Sequence, residues 1–452
     1  MSRSAIERLY DRLFDEKPGR RSCEDLTDQA CQVTPRNFFA EIGALTLTKL
    51  GDAIASPKTV LAWMLATLGA PVAIIGWLVP VRESLSMLPQ IVLAGWVQRF
   101  AVRKWIWVGG GIVQAGALLG MAAAAWTLRG LAAGVVVLGC LIVFSLARAF
   151  CSISIKDVQG KTIAKRRRGR VTGWSAAVAG GLTMAGSAIL IGPMKNETDA
   201  APFGWILLLA AGLFLSAVLV FALVREFDGE TKRDAAGVGQ SLKSARENLR
   251  LLGREKSFRR FVIARALFLV SALSAPYYVV MARDSGGEAD AVSGLGALGW
   301  FVLAGGIADM LSSPVWGRFA DRSSRRVMMT AAGLASVLGI GMWAMALFAE
   351  ELVQSSWIFV GAYFFLSIAH AGVRAGRKTY VVDMATGNRR TDFVSVSNTV
   401  IGFILILTGL LTPVAEKFGA AWMILLLSIA GLVGVAMAVG LPEVEEEGEE
   451  NS

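Results

Sequence analysis

The chain of 452 residues is 54% hydrophobic and 18% charged and carries a formal net charge of +10 at pH 7, with a mean hydropathy of +0.56. Soluble globular chains have roughly 25% charged residues, so this composition excludes a soluble protein and indicates one embedded in a membrane. The positive charge lies in short runs between apolar stretches, which favours contact with anionic lipid headgroups over nucleic-acid binding.

Apolar stretches of about 20 residues recur along the chain, and each is long enough to cross a bilayer core of about 30 Å. They are continuous rather than alternating, which predicts helices. The segment 58–69 is also mostly apolar and extends either the first or the second span. The predicted spans are 37–57, 70–94, 105–127, 129–150, 171–193, 202–224, 259–281, 294–316, 327–349, 355–376, 392–414 and 419–441.

An offset of 222 residues relates the two halves of the chain. Gly95 matches Gly317 (317 − 95 = 222), and Arg103 matches Arg325 (325 − 103 = 222). A constant offset indicates a duplicated unit, and it places span 1 on span 7. The sequence therefore predicts an all-α membrane protein with twelve transmembrane helices in two parallel six-helix repeats. The same offset relates Arg167-Arg168 to Arg389-Arg390 and Gly180 to Gly402.

Lysine and arginine are concentrated in the loops on one side, which predicts that this side is cytoplasmic. Both termini are expected there, and Lys58 is assigned to a loop on the other side. The predicted parts are a cytoplasmic N-terminal segment 1–36, a six-helix bundle 37–224, a cytoplasmic linker 225–258, a second bundle 259–441 and an acidic tail 442–452. The four cysteines lack metal-ligand spacing and are expected to be free thiols.

Spans 1 and 2 each carry a polar stripe on an otherwise apolar helix. At about 100° per residue, Glu41, Lys49 and Asp52 fall on one arc of span 1. Arg82, Glu83 and Gln90 form a similar wedge on span 2. Arg82 and Glu83 are adjacent and do not face each other on a helix, so each is expected to pair elsewhere.

The second half carries fewer charges inside its spans. They are Arg265 on span 7, Asp309 on span 8 and His370 on span 10. Charges at such depth face a cavity or a partner, and two readings stay open for all of them: structural ion pairs, or groups that bind substrate and carry protons. The pKa range of histidine suits proton coupling. However, His370 also matches Arg148 at the repeat offset (370 − 148 = 222), which suggests a gating role.

The loop after the eighth span reads G-x-x-x-D-R-x-x-R-R, formed by Gly317, Asp321, Arg322, Arg325 and Arg326. With twelve spans in two halves, this motif resembles the major facilitator superfamily of secondary transporters over about 37–441. The resemblance implies a gating loop in which the acid binds basic residues and holds the outward-facing state. We expect the partners of Asp321 among Lys165, Arg166, Arg167 and Arg168. The first-half copy has Arg99 in place of the acid.

The resemblance implies secondary active transport of a small polar or amphipathic solute by alternating access, with proton coupling. The expected partners are a small-molecule substrate, protons and the lipid bilayer, with no nucleic acid, and the protein is expected to be a monomer in a bacterial inner membrane. No cofactor or metal motif is present, so an enzyme is not expected. Two alternatives stay open: a transporter-like sensor or scaffold, and a proton-driven multidrug exporter.

Overall fold

The computed structural model describes residues 5–14, 26–192, 199–228, 231, 250–285, 294–349, 351, 355–384 and 389–443. Within these residues all regular structure is α-helical. Most of the predicted linker 225–258 and of the acidic tail 442–452 lies outside the described residues. Cys31 is disulfide-bonded, so the expectation of a free thiol is wrong there, whereas Cys140 and Cys151 are free.

The described part of the first half contains nine helices. They are α1 (Ala5–Phe14), α2 (Asp28–Ile54), α3 (Val60–Thr67), α4 (Val72–Met87), α5 (Gln90–Val97), α6 (Lys104–Thr127), α7 (Gly130–Thr162), α8 (Lys165–Ile191) and α9 (Ala201–Ala222).

The described part of the second half contains ten helices. They are α10 (Leu251–Arg254), α11 (Lys256–Leu267), α12 (Val270–Leu273), α13 (Ala275–Ser285), α14 (Gly294–Ala320), α15 (Ser324–Phe348), α16 (Ser356–Asp383), α17 (Arg389–Gly409), α18 (Pro413–Phe418) and α19 (Ala420–Val439).

Ten helical segments of the described chain are long and apolar enough to cross a bilayer. They correspond to the predicted spans 3 to 12, and α11 to α13 form one of them. Predicted spans 1 and 2 are not among the ten. Helix α2 carries several charged residues, and the region of span 2 is divided between α4 and α5. The number of twelve spans therefore stays a prediction.

Helix α3 resolves the position of the segment 58–69. The chain breaks between Ile54 and Val60, and α3 then continues with almost every residue buried. Its end meets the turn between α6 and α7, because the amide of Gly130 donates to the carbonyl of Leu68 over 2.8 Å. The chain reverses at Gly69, whose φ of 74° suits glycine. Helix α3 thus extends the path of α2 and precedes the reversal into α4.

Helices α6, α9, α15 and α19 form the outside of the two bundles. They expose large apolar side chains such as Trp205, Leu219 and Val337, which are 65%, 70% and 65% exposed. An exposed apolar surface of this kind suits contact with lipid. The interiors of these four spans carry no charge in the sequence, which suits helices on the outside.

The two halves meet along α8 with α14 and along α4 with α17. We call the end that carries the loops 99–104, 161–170 and 318–326 the basic end. At the opposite end, a Cβ on Gly299 would lie 2.9 Å from the Cβ of Leu190, and the rings of Trp63 and Phe301 are 6.2 Å apart. Near the basic end, the space beside Gly317 is open. The halves are closed together at the opposite end and separated toward the basic end.

Each half is fastened at the basic end by a glutamate that follows its last helix. The carboxylate of Glu226 accepts hydrogen bonds from the backbone amides of Arg103, at 2.9 and 3.0 Å, and of Lys104, at 2.6 Å. It also pairs with Lys161 at 2.9 Å, and its side chain is fully buried. A carboxylate at this position satisfies the free amides at the start of α6.

The second-half glutamate is Glu443. It accepts a hydrogen bond from Ser323 Oγ at 2.7 Å and pairs with Arg325 at 2.6 Å and Arg326 at 3.2 Å. Ser323 in turn caps α15. The repeated basic residues Arg103 and Arg325 therefore each lie in a contact that closes their own half, in addition to any effect on topology.

The pKa of Glu443 determines the pH range in which its carboxylate is charged and this second contact is strong. Burial raises the pKa of Glu443, but hydrogen bonds from Ser323 and Arg325 and the charges of Arg325 and Arg326 outweigh burial and hold it below its ordinary value. A carboxylate with a lowered pKa contributes stability above the unfolded pKa of about 4.3 and loses it as the pH falls through the folded value.

We therefore expect Glu443→Gln to lower the thermal unfolding midpoint in detergent at pH 7 by roughly 2–4 °C, for a loss of about 1 kcal/mol. The difference from the parent chain should shrink as the pH is lowered through about 4. A difference that stays constant from pH 7 to pH 4 would contradict the assignment.

Candidate functional site

A cavity of about 950 Å³ lies between the two halves. Its first-half wall comes from α2, the break between α2 and α3, and α8, and its second-half wall comes from α12 to α14 and α16. Along α8 the contact with α14 ends near Met184 and Gly306, and residues 176–181 then line the cavity toward the basic end. The cavity is thus covered at the opposite end and continues toward the basic end. Its charged lining residues are Lys49, Lys58, Asp309 and Arg374.

A chain of three side chains crosses this cavity between the halves. Lys58 Nζ lies 3.0 Å from His370 Nε2, and His370 Nδ1 lies 3.2 Å from Ser271 Oγ. Lys58 is in the break between α2 and α3, whereas His370 is on α16. The assignment of Lys58 to a loop outside the spans is therefore wrong, because α3 carries the chain onward past it. No motif or spacing in the sequence points to Ser271 as a site residue.

Asp309 and Arg374 form an ion pair on the second-half wall. Their atoms Oδ1 and Nη2 are 3.1 Å apart, and the side chains are 51% and 40% exposed. An ion pair with this exposure is weak and can exchange partners. Tyr363, Ser367, His370 and Arg374 all line the same cavity from α16, in agreement with their helical spacing.

A second ion cluster joins three helices of the first half. Asp52 on α2 binds Arg82 on α4 at 3.0 Å and Arg148 on α7 at 2.5 Å. The guanidinium of Arg82 also lies over the ring of Phe144, 4.9 Å from its centroid. Arg82 therefore pairs away from Glu83, as the helical geometry predicts. The cluster contains two arginines and one carboxylate, so it keeps a net positive charge.

The remaining polar residues of spans 1 and 2 lie near these groups. Lys49 lines the cavity and donates to the carbonyl of Thr172 at 3.3 Å. Glu83 lies within electrostatic range of Lys58 and Arg377. Gln90 donates to the carbonyl of Ser86, one turn earlier, at 2.6 Å.

Of the nine candidate residues, only Lys49, Asp309 and His370 line the cavity. Glu41 and Arg265 instead connect helices within one half. Glu41 is fully buried and accepts a hydrogen bond from Thr162 Oγ1 at 2.6 Å, which joins α2 to α7. Arg265 donates to Ser397 and, at 2.9 Å, to Asn398 Oδ1, which joins α11 to α17. Each residue connects helices of its own half, so the geometry favours a packing role for both.

The loop of Gly317, Asp321, Arg322, Arg325 and Arg326 does not form the expected latch in this conformation. Asp321 is exposed, and no ion pair joins it to a residue that the structure describes.

The expected partners of Asp321 are bound elsewhere. Arg167 binds the hydroxyl of Tyr10 and lies over the ring of Phe14 at 4.3 Å. Arg168 donates to the carbonyls of Gly160 and Ile163. The side chain of Arg166 lies outside the described residues. An open latch agrees with the separation of the halves at this end.

A smaller cavity of about 520 Å³ adjoins the central one and shares Ala53, Thr183 and Val302 with it. Its lining is mostly apolar and includes Trp205 and Leu209, which are 65% and 58% exposed. It contains little polar chemistry, so the central cavity is the better candidate site. Among the described residues no cluster of histidine, cysteine and carboxylates could hold a metal ion.

A helical protein with bilayer-length apolar helices and a charged cavity between two bundles has the architecture of a membrane transport protein. A sequence profile described as "Major Facilitator Superfamily" matches residues 267–452. No curated protein sequence matches the chain.

Solved transporters share the fold at low sequence identity. A mutant of the nucleoside transporter NupG superposes with a TM-score of 0.68 at 13% identity, covering 89% of this chain and 99% of the other. An auto-inhibited POT family peptide transporter superposes with a TM-score of 0.65 at 13% identity, covering 90% of this chain and 96% of the other. The xylose transporter XylE from E. coli, in an inward open conformation, superposes with a TM-score of 0.64 at 9% identity, covering 92% of this chain and 97% of the other. Residues 267–452 therefore resemble this superfamily in sequence, and the chain shares the fold of these solved transporters.

The charges of the first-half ion cluster lead to a prediction about the stability of two variants. Asp52→Asn leaves two arginines without a carboxylate and should lower the free energy of unfolding by about 3 kcal/mol. Arg148→Gln leaves the pair of Asp52 and Arg82 intact and should cost about 1 kcal/mol or less. The two variants are compared by thermal unfolding in detergent. Asp284→Asn is the control, because Asp284 belongs to an exposed ion pair. Equal losses for the Asp52 and Arg148 variants would contradict this geometry.

Proposed function

We propose that the chain is a secondary active transporter that moves a small polar or amphipathic solute by alternating access. The observation that carries the proposal is the cavity between the halves, covered at the opposite end and continuing toward the basic end. The apolar cavity beside it could accept a non-polar part of a solute. Solved proteins of this fold include transporters of a nucleoside, of peptides and of xylose, which are polar solutes, and this agrees with the charged lining of the central cavity.

The proposed architecture is twelve spans in two parallel six-helix repeats, 37–224 and 259–441. Helix α2 with α3 supplies span 1, and α4 with α5 supplies span 2. Lys49 lines the cavity, and Asp52 and Arg82 form part of the first-half ion cluster, so these charges of spans 1 and 2 lie inside the protein. We place the basic end in the cytoplasm of a bacterial cell, by the distribution of lysine and arginine, and the protein as a monomer in the inner membrane.

The proposal includes proton coupling through carboxylates near the cavity. Asp309 is exposed in the cavity and pairs with Arg374. A proton on Asp309 would cancel its charge and release Arg374 for the solute. Glu83 is the second carboxylate in reach of cavity cations. His370 is less suited to carry the proton, because an ammonium group already donates toward its Nε2.

The test is uptake from a metabolite mixture. Proteoliposomes with an alkaline interior are incubated in a bacterial metabolite extract, washed, and assayed by mass spectrometry for accumulated compounds. We expect at least one compound to accumulate above empty liposomes and to be lost with a protonophore. Asp309→Asn and Glu83→Gln should each lower its initial uptake at least about tenfold, the effect of about 1.4 kcal/mol.

Asp284→Asn is the matched control, because Asp284 is exposed beside Arg283 and lies away from the cavity. If no compound accumulates, the chain acts as a sensor or scaffold with a transporter fold. If accumulation survives in both variants with unchanged rate and pH dependence, proton coupling through these residues is wrong. If only apolar cations accumulate, or are expelled, the multidrug alternative holds.

A further inference from the structure

Two lysines of the central cavity lack a carboxylate partner. In the part of the chain that the structure describes, no carboxylate lies within ion-pair distance of Lys49 or Lys58. Lys58 contacts His370 at 3.0 Å, and Lys49 contacts the carbonyl of Thr172 at 3.3 Å. Neither contact supplies a negative charge. An ammonium group inside a bilayer needs a counter-charge or water.

The hydrogen bonds of His370 show that it does not supply the missing negative charge. An ammonium group only donates hydrogen bonds, so His370 Nε2 must accept from Lys58. The proton of the neutral ring is then on Nδ1 and points to Ser271 Oγ, 3.2 Å away. His370 thus holds Lys58 by a neutral contact and leaves its positive charge in the cavity.

The charges that line the cavity are unequal in number. The cations are Lys49, Lys58 and Arg374, and the one carboxylate is Asp309. Asp52 is occupied by two arginines, and Asp309 by Arg374. Helix α3 also begins directly after Lys58 and Thr59, which both line the cavity, and the first turn of a helix carries partial positive charge.

We propose that the central cavity binds an organic anion whose carboxylate or phosphate group contacts Lys58, with Lys49 as a second cation. This inference rests on the proposed transport function and specifies its substrate class. The cavity of about 950 Å³ is large enough for a small metabolite. His370 is a positioning residue in this site, because it contacts the ammonium group of Lys58 and orients it toward the anion.

The uptake experiment separates this inference from the proposed function. The compounds that accumulate in proteoliposomes are sorted by charge at pH 7. We expect carboxylates or phosphate esters, and Lys58→Met should lower their uptake at least about tenfold, because hydrogen bonds between charged groups are strong. Lys58→Arg, which keeps the charge, should restore part of the uptake. Lys417→Met, at an exposed position outside the cavity, should leave it unchanged.

A ligand-free measurement completes the test. Without an anion, no described carboxylate pairs with Lys58, so Lys58→Met should raise the thermal unfolding midpoint of the purified chain. A structural lysine would instead lower it when removed. Accumulation of only neutral or cationic compounds would leave transport intact and overturn the anion site. A Lys58→Met variant that is less stable and still accumulates the same anions would overturn it as well.

Discussion

The cost of placing a charge in a bilayer determines how this protein is arranged. A charged side chain at the bilayer centre costs at least about 2.5–3.5 kcal/mol unless it meets a partner, water or a cavity. The ion pairs of α2 with α4 and α7, and of α14 with α16, place interior charges against partners inside the protein. Helices α6, α9, α15 and α19, whose interiors carry no charge, expose apolar side chains on the outside. Partners within the protein and a cavity thus hold the charges that lipid would not accommodate.

The same constraint connects the folding of each half with the proposed movement between halves. Within a half, contacts are strong: Glu226 closes the first bundle and Glu443 the second, each at the basic end. Between the halves, the described contacts near the opposite end are mostly apolar and depend on close packing at residues such as Gly299 and Gly409. Rigid bundles joined by an apolar, separable surface suit a rocking motion.

The sequence predicted the helical class, most helix positions and the division into charged and uncharged helices, because these follow from local composition and spacing. It also predicted that Arg82 would pair away from Glu83. The partners themselves required the tertiary structure, since nothing in the spacing indicates that Asp52 meets both Arg82 and Arg148.

The expectation for Lys58 is wrong, whereas the Asp321 latch stays a prediction, and the physical reasons differ. Lys58 was placed in a loop because a charge between two apolar runs resembles a helix end, whereas a broken helix brings it to the cavity. The latch of Asp321 was expected from a motif that serves one conformation, and the structure shows the halves apart at that end. A sequence carries no information on which of two conformations is occupied.

The central claim is that the two halves must part at the opposite end for transport. A disulfide between Leu190→Cys and Gly299→Cys, in a background without the native cysteines, tests it directly, because these Cβ positions meet across the halves. The measurement is uptake into proteoliposomes before and after oxidation. We expect uptake to stop when the disulfide forms and to return on reduction. Undiminished uptake by the fully cross-linked protein would contradict it.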